Sequence, residues 1–130
     1  MSKSSPPPRP TAGELAILQV LWEEGPSTVR AVHEILNTRR KTGYTTVLKL
    51  MQIMAQKGLV TRDESRKTHV YRPCLAEAKT ERQLVRDVVE RVFGGSAERL
   101  VMRALEEKKV SKDELAHIRE LLDNMEGEKS

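Results

Sequence analysis

Apolar residues recur at helical spacing along most of the chain. Over residues 11–24, Leu15, Leu18, Leu21 and Trp22 fall on one face. Thr11 and Glu14 have the spacing of a capping box, in which the hydroxyl caps the first turn and the carboxylate reaches back. Gly25-Pro26 stops this helix. Ser27 starts a second, shorter helix with Val29, Val32, Ile35 and Leu36 inward, and Asn37 ends it. A basic turn follows over residues 38–43. A third helix, over 44–57, turns Val47, Leu50, Met51 and Met54 inward and stops at Gly58. Its opening, Tyr44-Thr45-Thr46, is polar and β-branched, a poor choice for helix propensity alone.

The period then changes. Residues 59–63 and 68–72 read as two strands joined by a turn at 64–67, with Pro73 ending the second. Beyond them the helical period returns. Thr80 and Gln83 have capping-box spacing ahead of a broad stripe of Leu84, Val85, Val88, Val89, Val92 and Phe93, broken by Gly94-Gly95. Ser96 caps a short helix carrying Leu100, Val101, Ala104 and Leu105. Ser111 and Glu114 form a third capping box, and Leu115, Ile118, Leu121, Leu122 and Met125 line one side of the last helix, whose end frays over 126–130. The order is three helices, a hairpin and three more helices.

Length allows one domain or two small ones: the chain has 130 residues, 38% hydrophobic and 32% charged. Charge divides them. Residues 1–74 hold 12 Lys/Arg against 6 Asp/Glu, a net of +6, and residues 75–130 hold 11 against 13, a net of −2. A basic first half points to a polyanion, although a solvated surface would have the same charge. The expected organisation is a Pro/Ser tail over 1–10, disordered or in polyproline geometry, then a unit over 11–74 and another over 75–130. Aromatics are 3% of residues, too few for a single-strand stacking platform. No apolar run approaches the ~20 residues of a membrane span, and the first ten residues do not form a signal peptide, so a cytoplasmic location and no membrane insertion are expected. The lone Cys74 leaves no internal disulfide.

Three short helices and a hairpin make a winged helix-turn-helix. The expected fold is mostly α with a small β-hairpin: an N-terminal winged helix-turn-helix and a C-terminal helical dimerisation domain. In this arrangement the third helix projects its first turn toward a major groove and the hairpin reaches the neighbouring backbone. The exposed opening comprises Thr42, Tyr44, Thr45 and Thr46, then Lys49, preceded by Arg39, Arg40 and Lys41. Hydroxyls and N–H groups at a helix start hold phosphate, threonine methyls pack on thymine, and the cations attract any sequence. Arg66 and Lys67 at the hairpin tip suit a phosphate contact. The plainer alternatives are that Thr45 and Thr46 cap the helix and that the basic turn is a solvated loop. Three helices in roughly 50 residues bury little alone. The stripes carrying Leu84, Val88 and Val92, and Leu115, Ile118 and Leu122, therefore call for a second copy, or else for packing against the first half.

Trp22, the run Tyr44-Thr45-Thr46-Val47, the run from Met54 to Leu59 and the strand from His69 to Pro73 resemble the penicillinase-repressor (BlaI/MecI-type) family of bacterial regulators. The resemblance covers residues 11–125. It implies a dimeric repressor on inverted-repeat double-stranded operator DNA, controlling β-lactam resistance or related genes and its own operon. By position it assigns Thr42, Tyr44, Thr45, Thr46 and Lys49 to the groove and Arg66 and Lys67 to the wing. It further implies a membrane sensor-protease partner that cuts the helix after the double glycine. Met102, Arg103 and Ala104 stand in that region, in place of the Asn-Phe pair of the best-known members. The paired Cys-x-Cys motifs of a copper-responsive branch are absent, and Ile53 stands where several members have a basic residue.

No catalytic set is expected. Ser65 and Lys67 lie on an exposed turn, and His33, His69, His117 and Cys74 lack metal-ligand spacing, so neither metal nor cofactor is expected. Two other readings remain: a winged helix that binds protein, and a winged-helix regulator released by a small ligand.

Overall fold

The computed structural model describes residues 9–129, so the expected tail lies outside the described residues except for Arg9 and Pro10. Helices α1 (Ala12–Glu24), α2 (Val29–Arg39) and α3 (Tyr44–Lys57) precede strands β1 (Val60–Asp63) and β2 (Val70–Pro73); α4 (Glu77–Arg91), α5 (Ala97–Glu107) and α6 (Lys112–Lys129) follow. This is the mostly α fold with one hairpin that the period implied. The chain forms two compact units, one ending at Arg82 and the other beginning at Gln83. Residues 75–82 thus belong with the first unit, eight residues beyond the expected boundary. Leu75 packs on its core, and the Trp22 indole N–H donates to the Leu75 carbonyl at 2.9 Å.

α1 packs against α2, α3 and β2. Being covered on several sides, it buries Ile17 and Val20 besides Leu18 and Leu21, a wider face than the single stripe expected, and Leu15 is half-buried. Val29 and Val32 from α2 and Val47, Met51 and Met54 from α3 complete the helical core, and Leu59, Val60 and Tyr71 close it from the hairpin. The strands pair antiparallel with Val60 opposite Pro73 and Asp63 opposite Val70.

Local expectations fare unevenly. Thr11 and Glu14 make the full capping box of α1. Gly58 closes α3 in the left-handed region at φ 85°, a conformation that costs any other residue a steric clash. Ser27 does not start α2. Its N–H and carbonyl exchange hydrogen bonds with Tyr71 at 3.1 and 2.8 Å, a one-residue third strand beside β2, and Thr28 caps the helix instead. α2 runs past Asn37 to Arg39, so the first two residues of the expected turn are helical. Thr80 is no cap. It lies buried inside α4, with its hydroxyl donating to the Ala76 carbonyl at 2.8 Å, because the helix begins three residues earlier. Ser96 caps α5, and Ser111 Oγ accepts from the Glu114 N–H. Residues 126–129 do not fray but continue α6.

Among the described residues the second unit has no core of its own comparable to the first. No residue of α5 is buried, and Val85, Val88, Val92, Val101, Met102, Leu121, Leu122 and Met125 are exposed.

A buried carboxylate ties α1 to α3 through an ion pair. Glu14, 2% exposed, receives both Lys57 Nζ contacts at 2.9 Å and the Thr11 N–H at 2.9 Å. Burial opposes its charge, but the Thr11 N–H and the Lys57 ammonium outweigh burial and hold its carboxyl below the ordinary value of 4.5. Lys57→Met leaves a buried carboxylate without its cation and should cost about 1–3 kcal/mol in urea unfolding. The lowered value means that the Glu14 contribution is complete above about 4.5 and is lost as pH falls through the folded-state value. Glu14→Gln should therefore lose less stability than the wild type between about pH 5 and pH 3. Gly58→Ala should lower stability by about 1 kcal/mol in the same assay.

Candidate nucleic-acid interface

The buried face of α3 determines what its other face presents. With Val47, Met51 and Met54 inward, Thr45, Lys49, Gln52 and Gln56 fall on the opposite side at helical spacing and are exposed. Tyr44 and Thr46 flank them, both exposed. Gly43 is the N-cap and supplies no side chain to the first-turn N–H groups. Among the described residues neither the Thr45 nor the Thr46 hydroxyl makes a hydrogen bond, so neither caps α3. The first turn thus offers N–H groups and hydroxyls together, a suitable surface for phosphate or base edges. Ile53 is half-buried.

The basic turn separates into bound and unbound cations. Arg39, the last residue of α2, pairs with Glu23 at 2.9 Å. Arg40 and Lys41 are exposed, and neither has an ion-pair partner among the described residues. The Thr42 hydroxyl is engaged by the turn itself, donating to the Arg40 carbonyl at 2.7 Å.

The wing behaves likewise. Arg62 is held by Glu64 at 2.7 Å, and the Tyr71 side chain and Glu64 raise its already high pKa. The Ser65 N–H donates to Asp63 Oδ1 at 2.9 Å, and this bond, with Arg72 and Arg66 nearby, holds the Asp63 carboxyl below its ordinary value. That bond shapes the tip, which leaves Arg66 and Lys67 exposed and without an ion pair among the described residues. Between α3 and the wing lies an open groove of about 380 Å³, lined by Tyr44, Leu48 and Gln52 on one side and Lys67, Thr68 and His69 on the other. Thr28, the N-cap of α2, and Arg30 also line it. On the other flank of α3, Arg40, Lys41 and Thr46 border a second groove of about 490 Å³.

The fold therefore brings Arg40, Lys41, Tyr44, Thr45, Thr46, Lys49 and Lys67 to the surfaces around α3, while Arg39 is drawn off by Glu23. Sequence reading missed Gln52, Gln56, Arg30 and His69. The polar i, i+4, i+7 and i+11 spacing from Thr45 was the available signal for the two glutamines; nothing local marked Arg30 or His69.

Of the expected dimer residues, Val88, Val92 and Leu122 are exposed, and Leu84, Leu115 and Ile118 are half-buried. Met102, Arg103 and Ala104 lie exposed within α5, where Arg103 pairs with Glu106 at 2.9 Å. Among the described residues no group of three His, Cys, Asp or Glu side chains is arranged to hold a metal, and no helix is long and apolar enough to cross a membrane.

Known proteins resemble the chain in fold and in sequence. A solved structure described as the DNA binding domain of the repressor BlaI has the same fold, with a TM-score of 0.51 and 19% identity over 58% of this chain and 92% of that one. A Mycobacterium tuberculosis protein named transcriptional regulator BlaI is 43% identical over 61 residues, 46% of this chain and 44% of its own length. The match thus spans less than half of that relative. A Mammaliicoccus sciuri protein named methicillin resistance regulatory protein MecI is 20% identical over 112 residues, 86% of this chain and 91% of its own. The family model described as penicillinase repressor matches residues 10–124, and the chain belongs to that family.

Proposed function

We propose that the chain is a transcriptional repressor that binds a palindromic double-stranded operator as a homodimer and controls β-lactam resistance or related genes together with its own operon. One observation carries the reading: the outward face of α3, with the unbonded hydroxyls of Thr45 and Thr46, lies in a winged helix whose flanking cations Arg40, Lys41, Arg66 and Lys67 lack ion-pair partners among the described residues. The hydroxyls and Lys49 reach base edges, and the cations hold phosphates on either side. The relatives, a transcriptional regulator and a resistance regulatory protein by name, support the same reading.

The second unit supports the dimer. Its exposed valines, leucines and methionines on α4, α5 and α6 would be covered by the same faces of another copy, which sets two α3 helices on half-sites about one helical turn apart. In this reading a membrane sensor-protease releases the operator by cutting near Met102, Arg103 and Ala104, for which α5 must first open locally.

Fluorescence anisotropy tests the first part, with the duplex upstream of the chain's own gene against a scrambled duplex at two salt concentrations. The native duplex should bind tighter at both. Thr46→Ala should lower the ratio of specific to non-specific affinity about tenfold, and Arg66→Ala should weaken both duplexes alike and reduce the salt slope by about 1. Equal binding that vanishes with salt would reduce the reading to charge attraction and favour a protein-binding winged helix. Sedimentation should give a dimer for the wild type and a monomer for the double variant Val92→Glu, Leu122→Glu.

A further inference from the structure

We propose that His33 and Asn37 form a positioning clamp that sets the angle at which α3 presents its first turn, an inference that rests on the DNA-reading role of α3. Thr42 lies between α2 and α3, outside either helix, so its backbone groups have no ladder partner. Both are taken by side chains of α2. Asn37 Oδ1 accepts the Thr42 N–H at 3.0 Å, and the His33 ring donates from Nε2 to the Thr42 carbonyl at 2.8 Å. A carbonyl only accepts, so the proton is on Nε2. His33 and Asn37 are four residues apart and stand on one face of α2, one turn above the other.

The grip reaches α3 directly. The His33 ring meets the Tyr44 ring edge to face, with centroids 5.7 Å apart at 80°. Tyr44 is the first residue of α3 and lines the groove facing the wing. The Thr42 hydroxyl meanwhile holds the Arg40 carbonyl, which fixes the segment carrying Arg40 and Lys41. Neither clamp residue carries a fixed charge or belongs to the set assigned to DNA. Their effect is on the pose of Thr45, Thr46 and Lys49, and base contacts depend on pose far more than phosphate attraction does.

The test uses the full chain and both duplexes described above, with amide hydrogen exchange of the free protein followed by NMR. His33→Ala and Asn37→Ala should each lower the ratio of specific to non-specific affinity about fivefold, the worth of one net hydrogen bond, and leave the salt slope unchanged. His33→Gln keeps a donor near the Nε2 position and should retain most of the ratio. In both alanine variants the Thr42 amide should exchange faster while the amides of α1 keep their protection. The proposal is overturned if Thr42 exchange is unchanged in Asn37→Ala. It is equally overturned if exchange rises but the ratio does not move, or if both duplexes lose affinity alike. Should the wild type not prefer the native duplex, the base-reading role of α3 fails by itself. The clamp is then decided on Thr42 exchange, which must rise in both alanine variants for it to stand.

Discussion

The seating of α3 is the constraint from which the rest of the first unit follows. Val47, Met51 and Met54 are each fully buried, and three such anchors at helical spacing leave the helix no freedom to roll. Everything on its far side is therefore aimed, not merely exposed. α1 provides the bed, which is why it buries more of its circumference than an ordinary surface helix. The hairpin is joined to the same core through Tyr71, whose backbone pairs with Ser27 and whose side chain is 2% exposed. Wing and α3 consequently share one foundation.

Polar contacts add register to what apolar packing holds together. Each long-range one stands at a junction between elements. The Trp22 indole holds the chain at Leu75 as it leaves β2, Glu14 joins the start of α1 to the end of α3, and α2 side chains hold Thr42. Apolar burial is nondirectional, and such directed bonds select one arrangement among several of similar packing.

Much of this was legible in the sequence. α1 and α3 were readable because their start and stop signals agree with their period: Thr11 and Glu14 at one start, Gly58 at one end. The unpredicted features depend on partners that a residue's own type does not name, some of them distant in the chain. Ser27 looks like a cap, but the Tyr71 backbone, far along the chain, recruits it into a bridge. Thr80 has capping-box spacing, but α4 already begins at Glu77. At the interface the cations and hydroxyls were visible as residue types, whereas their engagement was not. Glu23 takes Arg39 and Glu64 takes Arg62, and neither pairing is marked by spacing within one element. His33 read as a histidine without ligand spacing, and its partner is a backbone carbonyl that no residue type reveals.

The Glu14–Lys57 pair also constrains how this sequence can drift. Its two members are unequally sheltered: Glu14 is 2% exposed at its side chain and Lys57 is 36% exposed. If Glu14 is replaced first by glutamine, which can still accept the Thr11 N–H, the lysine turns its ammonium to water and the loss is the smaller of the two. If Lys57 is replaced first, a carboxylate is stranded in the interior. Neutral substitution can therefore dismantle the pair in one order only. Among descendants of such a chain, a lysine without its glutamate should be a common intermediate, and a glutamate without its lysine a rare one.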